Sequence, residues 1–200
     1  MLFAGIECVD NIFLVSLMDE NKTVKAIFKF YKEGLLWFID HYNPNIIAVN
    51  YDFPVRSKIA LTNKASSNLY KSIIEQFEYT EVDRRSFKEK EKRILKSDPE
   101  EFWKKIIRKE ILPPETPEGL EQRLYNLPKT GIRLNKRLLS QNKKLIAKEI
   151  DAVILSFAGY SFYNNRFENE ETENGIIIIP KYIYVMKKDR QETVSSEGES

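Results

Sequence analysis

Apolar and polar positions along the chain separate strands from helices before any composition is counted. Residues 2 to 8 (Leu2, Phe3, Ala4, Gly5, Ile6, Glu7, Cys8) form a nearly continuous apolar run ending at an acid, the pattern of a buried central strand. Ile12 to Met18 and Val24 to Phe30 are β-rich runs, and Asp19, Glu20, Asn21 and Lys22 between them have turn chemistry. These three runs predict an antiparallel meander. Leu35, Leu36, Phe38 and Ile39 share one side of a short helix that stops before Asn43 and Pro44. Ile46 to Val49 predicts a further buried strand, closed by Pro54, which has no N–H for a ladder.

A helix from about Lys64 to Phe77 follows from Ala65, Leu69, Ile73 and Phe77 at four-residue spacing, and Tyr79 to Asp83 suits a fifth short strand. The stretch from 84 to 140 reads as helical. Its clearest start is Asp98, an N-cap followed by Pro99 and by Glu101 three residues on, announcing a helix through Glu110. Pro113 and Pro114 break it, and Thr116 with Pro117 opens another helix. Ile146, Ile150, Val153, Ile154, Phe157 and Ser161 step along a long helix from roughly Asn142 to Asn164. An acidic loop over Glu168 to Glu173 and a strand from Ile176 to Ile179 complete the pattern. Residues 189–200 are polar and aperiodic, which predicts a disordered tail.

The expected architecture is a single α/β domain over 1–188: a mixed sheet of a three-strand meander plus parallel strands, flanked by helices, with a basic helical insertion over 84–140. With 200 residues and 42% hydrophobic content the chain can bury a full core. Its single cysteine, Cys8, excludes a disulfide framework and a Cys-based zinc site, and reads as a small core residue. No apolar stretch approaches the ~20 residues that span a bilayer, so a cytoplasmic, non-membrane protein is expected.

Net charge, +2 overall, is unevenly divided. From Arg84 to Lys148 there are 19 Lys/Arg against 9 Asp/Glu, a balance of +10, leaving −8 elsewhere. Such asymmetry suits polyanion binding, and it equally suits lysine-covered solvated helix faces. Arg84, Arg85, Lys88, Lys90, Lys92, Arg93 and Lys96 are interleaved with Glu89 and Glu91 and read as a solvated helix. Lys129, Arg133, Lys136, Arg137, Lys143, Lys144 and Lys148 are less diluted by acids and are the candidate nucleic-acid contacts. Trp37, Phe102, Trp103 and Tyr125 read as core, and His41 as a surface residue at a helix end.

Three acids stand where the pattern asks for apolar residues or marks a strand end: Glu7, Asp52 and Asp151, the last in the stripe Ala147, Asp151, Ile154, Ala158. Buried carboxylates are costly without a compensating cation. Magnesium or manganese takes carboxylate oxygens, and a pair of such ions can hold both oxygens of a phosphodiester displacement. Competing readings stay open, since Asp52 also suits a turn before Pro54 and Glu7 also suits pairing with a lysine. Glu149 reads as a solvated acid early in its helix.

The pieces Gly5-Ile6-Glu7, Ile47 through Pro54, Glu149-Ile150-Asp151-Ala152 and Gly175 to Pro180, in that order, resemble the ribonuclease H-like predicted nucleases known as domain of unknown function 429. The resemblance implies a ribonuclease H-like fold, a metal-dependent nuclease or related phosphodiester hydrolase, and Mg²⁺ or Mn²⁺ held by Glu7, Asp52 and Asp151. Glu81 resembles a further strand-borne ligand of that family. The family usually has Asp where this chain has Glu7, and often an acid where it has Lys148. Those two positions motivate an alternative: a catalytically degenerate module that binds nucleic acid or a protein partner.

Overall fold

A computed structural model describes residues 1–50, 70–85, 87–107, 109–172 and 175–182, with the backbone alone at 143 and 144. Three strands, β1 (Leu2–Val9), β2 (Ile12–Asp19) and β3 (Val24–Phe30), form the expected antiparallel meander, and α1 (Lys32–Tyr42) follows. Asn43 ends α1 in the left-handed conformation, a role Asn fills at modest cost. Next come β4 (Ile46–Asn50), helix α2 described over 70–77, and β5 (Thr80–Glu81), which is shorter than the run of residues 79–83 suggested. The chain continues through β6 (Arg93–Ser97), α3 (Pro99–Ile106), α4 (Pro117–Asn126), α5 (Lys143–Tyr163), β7 (Phe167–Thr172) and β8 (Gly175–Pro180).

The strands make one mixed sheet in the order β3-β2-β1-β4-β6-β8-β7, with β5 beside β6. Strands β1, β4, β6 and β8 are parallel, so their carboxyl ends share one edge. Side-chain alternation divides the core. On one face, Phe3, Ile46, Ala48 and Leu95 pack against α5 and α3, while on the other Ala4, Ile6, Ile47, Val49 and Ile94 pack against α1 and α2. Cys8 belongs to the second face, half-buried beside that core, and burial with the Glu7 charge pushes its thiol up to about 11.

Two stretches depart from the expected pattern. The basic segment over 84–96 is not a solvated helix: its last part is β6, a buried strand between β4 and β8. Only Ile94 and Leu95 advertise it, because Arg93 and Lys96 flank them. Arg93 is buried and paired with Glu89, and Lys96 reaches Glu81 at 3.0 Å, so the stems lie in the sheet while the charges find partners. The expected helical insertion is thus confined to the residues after β6. The acidic stretch 168–172 is not a loop but the edge strand β7, exposed along its length, with Glu168 paired to Lys105 and Glu171 to Arg84. Charged side chains on an edge strand block pairing with other chains, so acidity and strand are compatible there.

Helix α3 starts as expected, with the Asp98 carboxylate accepting from the Glu100 and Glu101 N–H groups, but ends at Ile106 because the chain turns extended at Ile107 to bury it. Thr116 caps α4 through the Gly119 N–H. Phe102 and Trp103 are core residues as expected, whereas Trp37 and Tyr125 are 57% and 71% exposed, the first stacked on His41 and the second under Lys129. The helix expected from Lys64 has only its final part among the described residues, and the expected tail over 189–200 lies outside them. Among the described residues no helix is long and apolar enough to cross a membrane.

Helix α5 lies with its backbone directly on β1. A Cβ built on Gly5 would fall within 2.9 Å of the Ala152 carbonyl oxygen, the Ser156 nitrogen and the Leu155 carbonyl carbon. Backbone cannot give way as a side-chain tip can, so Gly5→Ala must lift the helix off the strand. Overpacking of this kind costs ~3 kcal/mol, and a urea titration of G5A against wild type should show it; a loss below ~1 kcal/mol would mean that α5 tolerates displacement.

Candidate active site

At the carboxyl edge of the parallel strands, on the face covered by α5, stand Glu7 on β1, Asn50 on β4 and Ser97 on β6. Residue Ile6 pairs with Val49, and Asn50 with Ser97, so the three form a row across the sheet. Ligands of open α/β sheets bind outside such an edge. Because α5 lies on Gly5, its preceding turn carries Lys148 and Asp151 over Glu7. Lys148 Nζ stands 3.7 Å from Glu7 Oε1 and 3.3 Å from Asp151 Oδ2, bridging the two acids. The Asn50 amide donates to Glu7 Oε2 at 2.8 Å.

Glu7 and Asp151 are 2% and 7% exposed, burial seldom seen for carboxylates without a cation. Burial pushes the Asp151 carboxyl above the usual range, while Lys148, then Arg123 and Trp103, act in the opposite direction. Arg123, buried on α4, donates through Nη1 to the Leu112 and Gly119 carbonyls at 2.9 and 3.1 Å, and burial lowers its pKa. Trp103, buried on α3, leans on Asp151 electrostatically without completing a hydrogen bond of ordinary geometry. A cavity of about 450 Å³ opens beside the pair, lined among others by Asn50, Trp103, Arg123, Lys148 and Asp151. Three buried polar atoms of its lining residues make no hydrogen bond with any described residue, Asn50 Oδ1, Trp103 Nε1 and Arg123 Nε, and Ser97 Oγ, beside Asn50 in the sheet, is a fourth. Such orphans are uncommon in finished cores and concentrate where a ligand or water completes them.

Of the acids singled out in the sequence, Glu7 and Asp151 come together, and Asp52 lies outside the described residues. Glu81 does not join them. It is exposed on β5, paired with Lys96, and β6 and β4 separate it from β1. Among the described residues no three His, Cys, Asp or Glu side chains converge to hold a metal.

The candidate nucleic-acid residues scatter. Only Lys148 is at the acid pair. Arg133 forms a backbone bridge to Thr23, at the β2–β3 turn, five strand residues and roughly 17 Å from the level of Glu7. Lys129 bonds Asn126 at 2.8 Å. Lys136 and Arg137 are exposed in a short 3-10 turn, Lys136 beside Ile146 of α5. Lys143 and Lys144 open α5, their side chains outside the described residues. The expected approach of the whole group to Asp151 is therefore not met, because Arg133 is held at the β2–β3 turn and Lys129 turns back onto its own segment.

Glu149, expected in solvent, is buried, accepting from the Ser140 N–H at 2.8 Å with Lys29 at 3.7 Å. The backbone partner and the nearby ammonium offset the cost of burying its charge. Sequence reasoning missed Trp103 and Arg123 as neighbours of the acids, since nothing in α3 or α4 signals which turn faces another helix's carboxylate. Models of known protein families give no match to the chain, and no curated protein matches it.

Removing the ammonium leaves two buried acids facing each other. Breaking a buried pair costs ~3–5 kcal/mol; with the Lys148 side chain 26% exposed, solvent softens this to ~2 kcal/mol for Lys148→Met in metal-free buffer at neutral pH. Denaturant unfolding measures it, and Glu7→Gln added to Lys148→Met should recover at least half of the loss.

Proposed function

We propose that the protein is a ribonuclease H-like, divalent-metal-dependent phosphodiester hydrolase acting on nucleic acid. The observation that carries this reading is the meeting of two buried carboxylates, Glu7 from β1 and Asp151 from α5, at the carboxyl edge of the parallel strands. The strand order, an antiparallel meander continued by parallel strands, supports the fold assignment.

The donor set suits a hard cation. Glu7, Asp151 and Asn50 Oδ1, which has no hydrogen-bond partner among the described residues, are all oxygen donors, as magnesium and manganese prefer. Those residues would hold Mg²⁺ or Mn²⁺, with Asp52, two positions beyond Asn50, as the further acid expected from the sequence. Bound there, the ion supplies positive charge at the phosphate and a more acidic water.

The chain's own groups do the rest. Asn50 fixes the Glu7 carboxylate in one orientation, and the Arg123 charge biases Asp151 toward its ionised form. Lys104 and Lys148, which line the cavity, offer ammonium groups to phosphate oxygens, and the walls of Pro99, Pro113 and Pro114 limit bulk water.

One observation favours a second reading, a degenerate module that binds nucleic acid or protein without cleaving: Lys148 already supplies a positive charge to both acids. Incubating the protein with single- and double-stranded DNA, RNA and hybrid duplex in Mn²⁺ separates the two. Cleavage of at least one substrate is expected, abolished by chelation and reduced at least 100-fold by Glu7→Gln with Asp151→Asn. Cleavage that survives the double substitution removes this site from the chemistry, and binding with no cleavage selects the second reading.

A further inference from the structure

On the metal-dependent reading, the two acids still have to be neutralised when no ion is bound. The space between Glu7 and Asp151 is held by a covalently attached cation. Lys148 Nζ is within 4 Å of both carboxylates, so a single ammonium serves the two acids at once. An ammonium and a divalent ion cannot both sit between the same two carboxylates, because they compete for the same oxygens and repel each other. Lys148 also has somewhere to go. Its side chain is 26% exposed, its four-carbon stem is flexible, and it lines the 450 Å³ cavity next to the pair.

We infer that Lys148 is a competing internal cation: it neutralises Glu7 and Asp151 in the empty site and swings into the adjoining cavity when a divalent ion takes its place. The displaced ammonium then faces the cavity that the phosphate would enter. Ion binding both vacates the carboxylates and delivers a positive charge to the anion, so the site does not present an unpaired acidic pair or a substrate-ready cation until the metal arrives.

Two measurements test this without relying on turnover. Calorimetric titration with MnCl₂ should give at least tenfold tighter binding to Lys148→Met than to wild type; equal or weaker binding overturns the inference. In wild type, trace acylation read by mass spectrometry should label Lys148 at least threefold faster in saturating Mn²⁺ than in chelator, relative to exposed Lys136. An unchanged ratio overturns it, and this arm decides alone should Lys148→Met not fold. If neither protein binds Mn²⁺, the metal-dependent reading falls and takes this inference with it. If both bind equally, only the inference falls.

Discussion

Gly5 has no side chain, and α5 rests its backbone on the space left there. A helix normally stands off a sheet by the length of the intervening side chains, yet here carbonyl and amide atoms of Ala152, Leu155 and Ser156 come down to the strand itself. The neighbouring contact is polar and equally close, a hydrogen bond of 3.1 Å between the Ser16 and Ser156 hydroxyls, deep in the core. Farther along, a Cβ added at Gly159 would come within 3.3 Å of Ile46 Cγ2 and 3.6 Å of Phe3 Cβ, so this glycine also lets α5 sit close to the sheet. Helix and strand are therefore locked in register along their length. Everything α5 carries at its other end, including Lys148 and Asp151, inherits its position over Glu7 from this contact.

That position imposes an electrostatic problem on the carboxyl edge. Two acids withdrawn from water in one place raise each other's energy and their own, and the structure offsets this with several weak partners rather than one strong one. Lys148 touches both; Asn50 gives a neutral donor to Glu7; Arg123 and Trp103 act on Asp151 from α4 and α3. Burial still dominates at Asp151, whose carboxyl stays above its ordinary range. A site held so close to imbalance responds to any added cation or anion, which is a useful property for a binding centre and a costly one for a core.

Much of the scaffold was legible because its signals are local. The meander, α1, β4, the caps at Asp98 and Thr116 and the long stripe of α5 each follow from residues a few positions apart. What stayed hidden depends on partners distant in the chain. Strand β6 carries only two apolar residues between cations, and becomes a strand because β4 and β8 receive it. The acidic β7 is a strand because β8 pairs with it on one side only. At the site, the conflict between pattern and chemistry at Glu7 and Asp151 marked two acids that the fold brings together, and the option that Glu7 meets a lysine found that lysine in Lys148. Glu149 breaks the same rule without joining the site, since a backbone amide resolves its burial. The basic residues misled because net charge along a sequence does not say which end of a helix a loop returns to.

The division of the site among distant segments also governs when it can exist. Glu7 and Asn50, 43 residues apart, meet only after a parallel pairing that no hairpin can template, and Asp151 arrives with a helix that follows both. Parallel pairing must offset loop-closure entropy before any contact rewards it, so it is slow relative to helix or hairpin formation. During synthesis the first strand emerges with its acid exposed to water on a two-sided ribbon. Only when the helix over 143–163 has left the ribosome can that acid be enclosed. The carboxylate pair is thus a late product of folding, and an unfinished chain carries none of it.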